Sequence, residues 1–472
     1  MLLHELINTT RPDAIAISRG EDALTFAELD LAGLRVAKWL LDKGVRRGDR
    51  VLAALPPSVE VPALLYGCSR VGAVFSLIHD TAPASAVQHV VDDCEPALVV
   101  DPAELSTVVG SGAVPDELPA SPLTVDPICL IYTSGSTGAP KAVVSTHAQV
   151  TFAARAIQSR LRYRPEDVVY CALPLAFDYG MYQLFLGALS GARVELGSAS
   201  DAGPQLLGKL AACGATVLPA VPALARGLAA MLARPTAKAP AIRLLTNTGA
   251  AMPDTVLATL RARIPGLRVQ LMFGLTECKR ATIMPVDEDL NRPGACGVAL
   301  PGTEVYAVDP AGGRLPAGEV GEIVVRGPNV MAGYWRRPEL TEQRFPRQQG
   351  LFPVLRTGDF GWLDKDGYLY FAGRRDDQYK EHGFRVSVTE VEAAAHRVSG
   401  VDAAAVLPPG AEEHGATLVV VSELAPHEVL AGLRAELEEF KIPRTCHVVA
   451  ALPLTRNGKV DRAELVRVTR AG

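Results

Sequence analysis

At 472 residues the chain exceeds the length at which a single core stops growing, so two or more domains are expected. Hydrophobic residues make up 48% and charged residues 21%, a globular balance, and 47 basic against 52 acidic residues leave a formal charge of −5. So mild a charge, with no Lys/Arg run interleaved with aromatics, argues against a polyanion-binding protein, and no nucleic-acid partner is expected.

The start, Met1-Leu-Leu-His-Glu-Leu, lacks a basic segment leading into a long apolar run and does not read as a signal peptide. Leu24-Thr25-Phe26-Ala27-Glu28-Leu29 opens an amphipathic helix that carries Val36, Trp39 and Leu40 and stops at Lys43-Gly44. Residues 50–55 form a short apolar run between Gly48-Asp49 and Pro56-Pro57, hence a buried strand. The most apolar stretch, 61–78, contains Pro62 and Arg70 and reads as a buried helix followed by a strand at 73–77, not a membrane span. Residues 98–100 are a third strand, and 101–126, rich in Pro, Ser and Gly, read as a long surface connection. Alternation of strand and helix resumes from 168 to 271, which argues for parallel sheets covered by helices.

Beyond Gly302 the pattern changes to strands and turns at 303–308, 321–327 and 367–371, suiting an antiparallel barrel or small sheet. Residues 373–377, Gly-Arg-Arg-Asp-Asp, read as a hinge. The remainder mixes helices at 388–398 and 425–440 with strands at 403–407, 416–421 and 447–449, a small α+β domain. Eight single cysteines without a Cys-x-x-Cys pair suit reduced thiols in a cytoplasmic protein, and the nine histidines show no metal-ligand spacing.

The most informative segment is Leu130-Ile131-Tyr132-Thr133-Ser134-Gly135-Ser136-Thr137-Gly138-Ala139-Pro140-Lys141. An apolar strand enters a loop of hydroxylic residues and glycines that ends in a lysine, a phosphate-holding composition of backbone N–H groups, hydroxyl donors and a point charge. It is not a Walker A loop, because Pro140 precedes Lys141 and Val143-Val144 continues as strand rather than helix. Gly110-Ser111-Gly112 is no dinucleotide fingerprint, since Pro115 takes the place of the third glycine.

This segment resembles the Thr-Ser-Gly-Ser/Thr-Thr-Gly-x-Pro-Lys signature of the superfamily of acyl-CoA synthetases, peptide-synthetase adenylation domains and luciferases. Further matching stretches follow in the family's order: Phe177-Asp178-Tyr179-Gly180, Phe273-Gly274-Leu275-Thr276-Glu277, Gly321-Glu322 through Gly333-Tyr334, Arg356-Thr357-Gly358-Asp359, Gly373-Arg374-Arg375-Asp376, and Leu452 to Lys459. The resemblance implies an α/β fold with a β-barrel subdomain. Residues 1–375 would form a large N-terminal AMP-binding domain of two parallel-sheet α/β subdomains plus a small barrel, and residues 376–472 a small mobile α+β lid.

The implied reaction is attack of a carboxylate on the α-phosphate of ATP with release of pyrophosphate, where two anions must meet among cations and oriented donors. By the same resemblance Thr133, Ser134, Gly135, Ser136, Thr137, Gly138 and Lys141 embrace the phosphates, although Ala142 replaces the family's usual glycine. Thr276 would bond the α-phosphate and Glu277 hold Mg2+. Phe273, with Gly249 and Ala250 opposite, would flank adenine; Asp359 would accept the ribose hydroxyls and Arg374 reach ribose or phosphate. Lys459, after Asn457-Gly458, would contact carboxylate and α-phosphate. Swinging about Asp376 would replace it with a thiol-acceptor face around Lys380 and Gly383. His147 and His382 read as exposed residues, not catalysts.

For the acid, Asp178 occupies the position that pairs with an ammonium in amino-acid-activating relatives; a buried carboxylate lacking a cation is costly, which favours an amine on the substrate. The alternative is an Asp that caps the following helix. Tyr179, Tyr182, Ala220 and Thr248 are further wall candidates. Lys279 and Arg280 follow Glu277, and in an extended segment only one of them, Arg280, would face the substrate; the alternative is a surface ion pair. One negative and one positive anchor suggest an amine plus a second acidic group, as in aspartate-like, β-amino or amino-hydroxybenzoic acids. The chain ends at Gly472 without a carrier domain, so the expected acceptor is an acyl or peptidyl carrier protein in trans. A CoA ligase, an oxyacid-activating enzyme using nitrite, and a non-catalytic nucleotide-binding regulator are the alternatives.

Overall fold

The computed structural model describes residues 1–7, 10–82, 84–134, 140–198, 201, 203–347, 352–374, 378–381, 384–409, 415–437, 439–455 and 459–471. By contact the chain divides into two units, Met1–Val305 with Val325–Arg356, and Tyr306–Val324 with Thr357–Gly472. The architecture is α/β with a half-barrel sheet and a smaller C-terminal α+β domain.

The first unit holds two large sheets. The nine-stranded sheet is ordered Val298–Ala299, Thr282–Ile283, Arg268–Phe273, Leu244–Asn247, Val217–Ala220, Val168–Cys171, Arg193–Leu196, Ile15–Arg19, Asp22–Thr25. Its middle is parallel, with Val217 opposite Leu244, Leu244 opposite Arg268 and Val168 opposite Arg193. Val217–Ala220 and Leu244–Asn247 are buried along their whole length, as helices covering both faces require.

In the six-stranded sheet the order is Gly333–Tyr334, Pro140–Thr146, Pro127–Ser134, Val74–His79, Arg50–Leu55, Leu98–Val99. Pro127–Ser134 and Pro140–Thr146 pair antiparallel as a hairpin, and residues 135–139 between them lie outside the described residues. The predicted helix–strand pair over 61–78 is present as Glu60–Val71 and Val74–His79. One hydrophobic core of the first unit runs from Leu3 through Phe26, Val36 and Leu64 to Phe185. Among the described residues no helix is long and apolar enough to cross a membrane.

The expected connection over 101–126 is not all irregular. Pro102–Ser111 is a helix, with Pro102 at its start and the Asp101 side chain accepting from the Glu104 N–H at 2.8 Å. Apolar Leu105 and Val109 bury its inner face, a pattern that the Pro/Ser/Gly content obscured.

Most of a four-stranded sheet, Glu304–Val308, Gly321–Arg326, Val354–Leu363 and Leu369–Arg374 in that order, falls in the second unit. Farther along, Val401–Leu407, Thr417–Ser422 and Thr445–Val448 form a three-stranded sheet. Helices Val388–Arg397 and Pro426–Leu433 share a core with it through Val391, Leu418, Val420 and Leu433. The helix expected over 425–440 is shorter than its pattern, ending at Leu433 before a 3-10 turn at Glu439–Lys441.

Candidate functional site

Adjacent parallel strands of the nine-stranded sheet carry the candidate residues at their carboxyl ends, the usual ligand edge of such sheets. Asp178 opens the helix Asp178–Ser190 after strand Val168–Cys171; Ala220 ends its strand; Thr248, Gly249 and Ala250 follow Leu244–Asn247; Phe273 ends Arg268–Phe273. Thr248 and Ala220 are buried, whereas Gly249 and Ala250 are exposed.

From Phe273 the chain folds back on itself, the Ala281 N–H donating to the Phe273 carbonyl at 2.8 Å. Gly274 permits this: a Cβ there would stand 2.2 Å from the Lys279 carbonyl oxygen. Lys279 has a φ of +62°, left-handed and rare for a residue with a side chain. The expectation of an extended segment with only Arg280 facing inward is therefore corrected. Both side chains are buried, Lys279 at 0% and Arg280 at 3% exposure, which also removes the surface ion-pair alternative.

Arg280 Nη1 donates to Asp178 Oδ2 at 3.2 Å and to the Lys279 carbonyl at 2.6 Å, and its guanidinium lies 4.7 Å from the centre of the Tyr179 ring. Asp178 thus already has a cationic partner, and the inference of an amine from an unpaired carboxylate is corrected. Nor does its side chain cap the helix; the cap position belongs to Phe177. Tyr179 is core, its hydroxyl bonded to Thr246 at 2.8 Å. Among the described residues four buried donor atoms in this part of the unit have no protein partner: Lys279 Nζ, Arg280 Nε, Tyr182 Oη and Thr248 Oγ1. Lys279 Nζ lies 5.9 Å from the centre of the Tyr182 ring. Burial pulls the Lys279 ammonium below its usual pKa, a loss that Asp178 offsets in part.

Thr276 and Glu277 follow in a turn and are 7% and 8% exposed. Among the described residues Glu277 makes no ion pair, and the one hydrogen bond to its carboxylate comes from the Tyr334 hydroxyl at 2.6 Å. A largely buried carboxylate held only by a neutral donor fits a divalent cation. Lys141, opposite Thr133 in the hairpin, sets its ammonium 4.1 Å from the centre of the Tyr334 ring. Sequence reasoning passed over Tyr334, although it closes the quoted Gly333-Tyr334 stretch. It also missed Asn329, whose Nδ2 clamps the Cys278 and Arg280 carbonyls at 3.2 and 3.0 Å. Nothing in the local sequence marks Asn329.

A hollow of about 390 Å³ lies at the opposite, amino-terminal ends of these strands. Its Arg243, Arg268 and Arg164 meet Asp167, Asp287 and Glu166, while Arg160 and Arg162 sit at the carboxyl end of helix His147–Leu161, where cations offset the helix dipole. That rim is structural.

In the second unit, Asp359 is 2% exposed on the strand Val354–Leu363. Lys459 stands on a hairpin closed by the Thr455 N–H to Lys459 carbonyl bond at 2.6 Å, with residues 456–458 outside the described set. Gly135, Ser136, Thr137, Gly138, Asp376, His382 and Gly383, and the side chains of Ser134, Arg374 and Lys380, also lie outside it. His147 is not exposed as expected: it is fully buried, and its Nδ1 accepts from the Leu3 N–H at 3.1 Å.

Residues 5–335 match the model of the AMP-binding enzyme family, and residues 390–459 that of the AMP-binding enzyme C-terminal domain. The chain is 33% identical over 98% of its length to the probable non-canonical nonribosomal peptide synthetase CymA of Salinispora arenicola strain CNS-205, and spans only 6% of that protein. It is 31% identical to a feruloyl-CoA synthase of an Amycolatopsis species, covering 97% of this chain and 96% of that one. The solved structure of VinN with L-aspartate is 36% identical, with a TM-score of 0.72 over 79% of this chain and 98% of that one. The chain belongs to the AMP-binding enzymes, AMP-forming ligases that use ATP to activate a carboxylic acid.

Proposed function

We propose that the protein adenylates a small acid carrying an amine and a second acidic group, of the aspartate-like, β-amino or amino-substituted aryl kind. The acyl group then passes to the phosphopantetheine thiol of a carrier protein. The observation that carries this is the buried trio of Asp178, Lys279 and Arg280, one carboxylate against two cations, with the Lys279 ammonium lacking a protein partner. A substrate anion would satisfy Lys279 and Arg280 Nε, and Tyr182 and Thr248 offer two hydroxyls more. An ammonium would take the remaining lone pairs of Asp178. That the 36% identical VinN is solved in complex with L-aspartate, an acid bearing an amine and a second carboxylate, supports this reading.

In the activating step one oxygen of the substrate carboxylate bonds to the α-phosphorus while the bridging bond to the β-phosphate breaks and pyrophosphate leaves. By family resemblance Lys141 with Thr133 to Gly138 holds the phosphates, Thr276 the α-phosphate, and Phe273, Gly249 and Ala250 the adenine. Glu277 would hold Mg2+, which supplies screening of phosphate charge. Asp359 and Arg374 are assigned to the ribose, Lys459 to the carboxylate and α-phosphate, Asp376 to a hinge at a 375/376 domain boundary, and Lys380 and Gly383 to the thiol-accepting face.

A second reading is favoured by the Asp178–Arg280 pair itself. Because Asp178 is already compensated, the trio has one surplus positive charge, which an amine-free diacid would neutralise; a CoA thiol would then be the acceptor, as the name of the feruloyl-CoA synthase relative indicates for that enzyme. Pyrophosphate release measured with L-aspartate, β-amino diacids, succinate, aryl acids, neutral amino acids and nitrite, each followed by CoA or a phosphopantetheinylated carrier, separates these. Release with valine or leucine but none with any acid bearing a second carboxylate would sink both readings. Release with nothing in the panel would sink both readings of the acid.

A further inference from the structure

The Tyr334 side chain touches two groups that the phosphate chemistry needs. Its hydroxyl donates to Glu277 Oε1 at 2.6 Å, within the range of a charge-assisted bond, and its ring face lies 4.1 Å from the Lys141 ammonium. The tyrosine is itself held on every side. Its backbone pairs with Val143 in the strand that carries Lys141, its N–H donates to Thr341 Oγ1 at 2.9 Å, and its ring meets Phe345 edge-on at 5.4 Å. Gly333 before it leaves room for this, since a Cβ there would stand 2.4 Å from Thr341 Cγ2. The Met331 N–H donates to the Glu277 carbonyl at 2.9 Å, so the backbone beside Tyr334 also fixes the backbone of Glu277. The bland alternative, a core tyrosine filling space, accounts for the ring but not for a hydroxyl spent on an otherwise unpaired carboxylate.

We infer that Tyr334 is the positioning residue that orients Glu277 toward a divalent cation and ties that carboxylate to Lys141 of the phosphate-holding hairpin. One acceptor site of Oε1 is taken by a neutral donor that fixes the rotamer without cancelling the carboxylate's charge, leaving Oε2 to face the metal. The inference rests on Glu277 as the cation's ligand, and the test separates the two.

Calorimetric titration of the full chain with ATP in EDTA, and with ATP plus Mg2+, reads the coupling between nucleotide and cation without turnover. Tyr334→Phe is expected to weaken that coupling on the order of tenfold while leaving metal-free ATP binding within about twofold. Glu277→Gln is expected to abolish it. Phe345→Leu loosens the same ring but keeps the hydroxyl, and is expected to keep wild-type coupling even where its thermal midpoint falls as far as that of Tyr334→Phe. Wild-type coupling in Tyr334→Phe beside lost coupling in Glu277→Gln overturns the role of Tyr334 and leaves Glu277 standing. Equal loss in Phe345→Leu and Tyr334→Phe assigns the effect to packing and overturns it as well. Unchanged coupling in Glu277→Gln overturns the metal assignment and this inference together.

Discussion

The Asp178 carboxylate lies 3.2 Å from Arg280 Nη1, and the two side chains are 3% and 4% exposed, one on the first turn of a helix and the other on a loop 102 residues away. A buried pair of this kind is costly to half-dismantle, because removing one partner strands the other charge, at about 3–5 kcal/mol. Arg280→Met should therefore lower the thermal midpoint more than Asp178→Asn, which leaves a neutral acceptor in place. In catalysis the order reverses for an amine-bearing acid. Asp178→Asn is expected to cut kcat/KM for L-aspartate by about 100-fold, the value of a charge-assisted bond, yet that for succinate by less than about fivefold. Steady-state pyrophosphate release checks this. Equal losses on both acids would mean that Asp178 serves only to hold Arg280.

Lys279 should show the opposite balance. Its ammonium is fully enclosed without a hydrogen-bond partner among the described residues, and burial disfavours its charge. Lys279→Met removes that cost while keeping the stem, so the empty enzyme is expected to melt at a higher temperature than the wild type. Activity on any acid with a second carboxylate should meanwhile fall at least about tenfold. A variant both less stable and equally active would contradict the assignment of Lys279 to a substrate anion.

Lys459 offers a test confined to one half-reaction. If it acts on the carboxylate and α-phosphate, Lys459→Ala should depress acid-dependent pyrophosphate release by about 10²- to 10³-fold, as loss of one transition-state donor does. Thioester formation from acyl-adenylate supplied in solution should stay within about threefold of wild type. Comparable losses in both halves would place the lysine's effect elsewhere, for instance in the folding of the 454–460 hairpin.

How much of this could be read in advance follows from where each contact is encoded. The hairpin at 130–141 was legible because its strand, glycines and lysine are contiguous, and Phe273 to Glu277 because a strand end and its turn are too. Asp101 with Pro102 and Glu104 was a helix-start signal that the surrounding loop-like composition outweighed. The site's electrostatics were not legible. Asp178, Arg280 and the stretch holding Asn329 and Tyr334 come from three distant segments, and the left-handed turn at Lys279 depends on a glycine five residues before it making room for a carbonyl. His147 was misread because the element that buries it, the amino-terminal turn Leu3–Leu6, lies more than 140 residues upstream.

That burial makes acid stability a measurable consequence. His147 Nδ1 accepts the Leu3 N–H and so must lack a proton there, and its Nε2 is buried without a partner among the described residues. Burial, with Arg70 beside His4 and His4 beside His147, brings both imidazoles down to about 4 from an ordinary 6.5. In the unfolded chain they take up protons near 6.5, but in the folded one only near 4. Their contribution is thus complete above about pH 6.5 and is lost progressively as the pH falls toward 4, by an amount on the order of 3 kcal/mol for the enclosed His147. The thermal midpoint of the first unit should accordingly drop between pH 7.5 and pH 5. His147→Asn keeps an acceptor where Nδ1 stood and removes the titration, so it should flatten that part of the curve. An unaltered pH slope in His147→Asn would show that the acid loss arises from other groups.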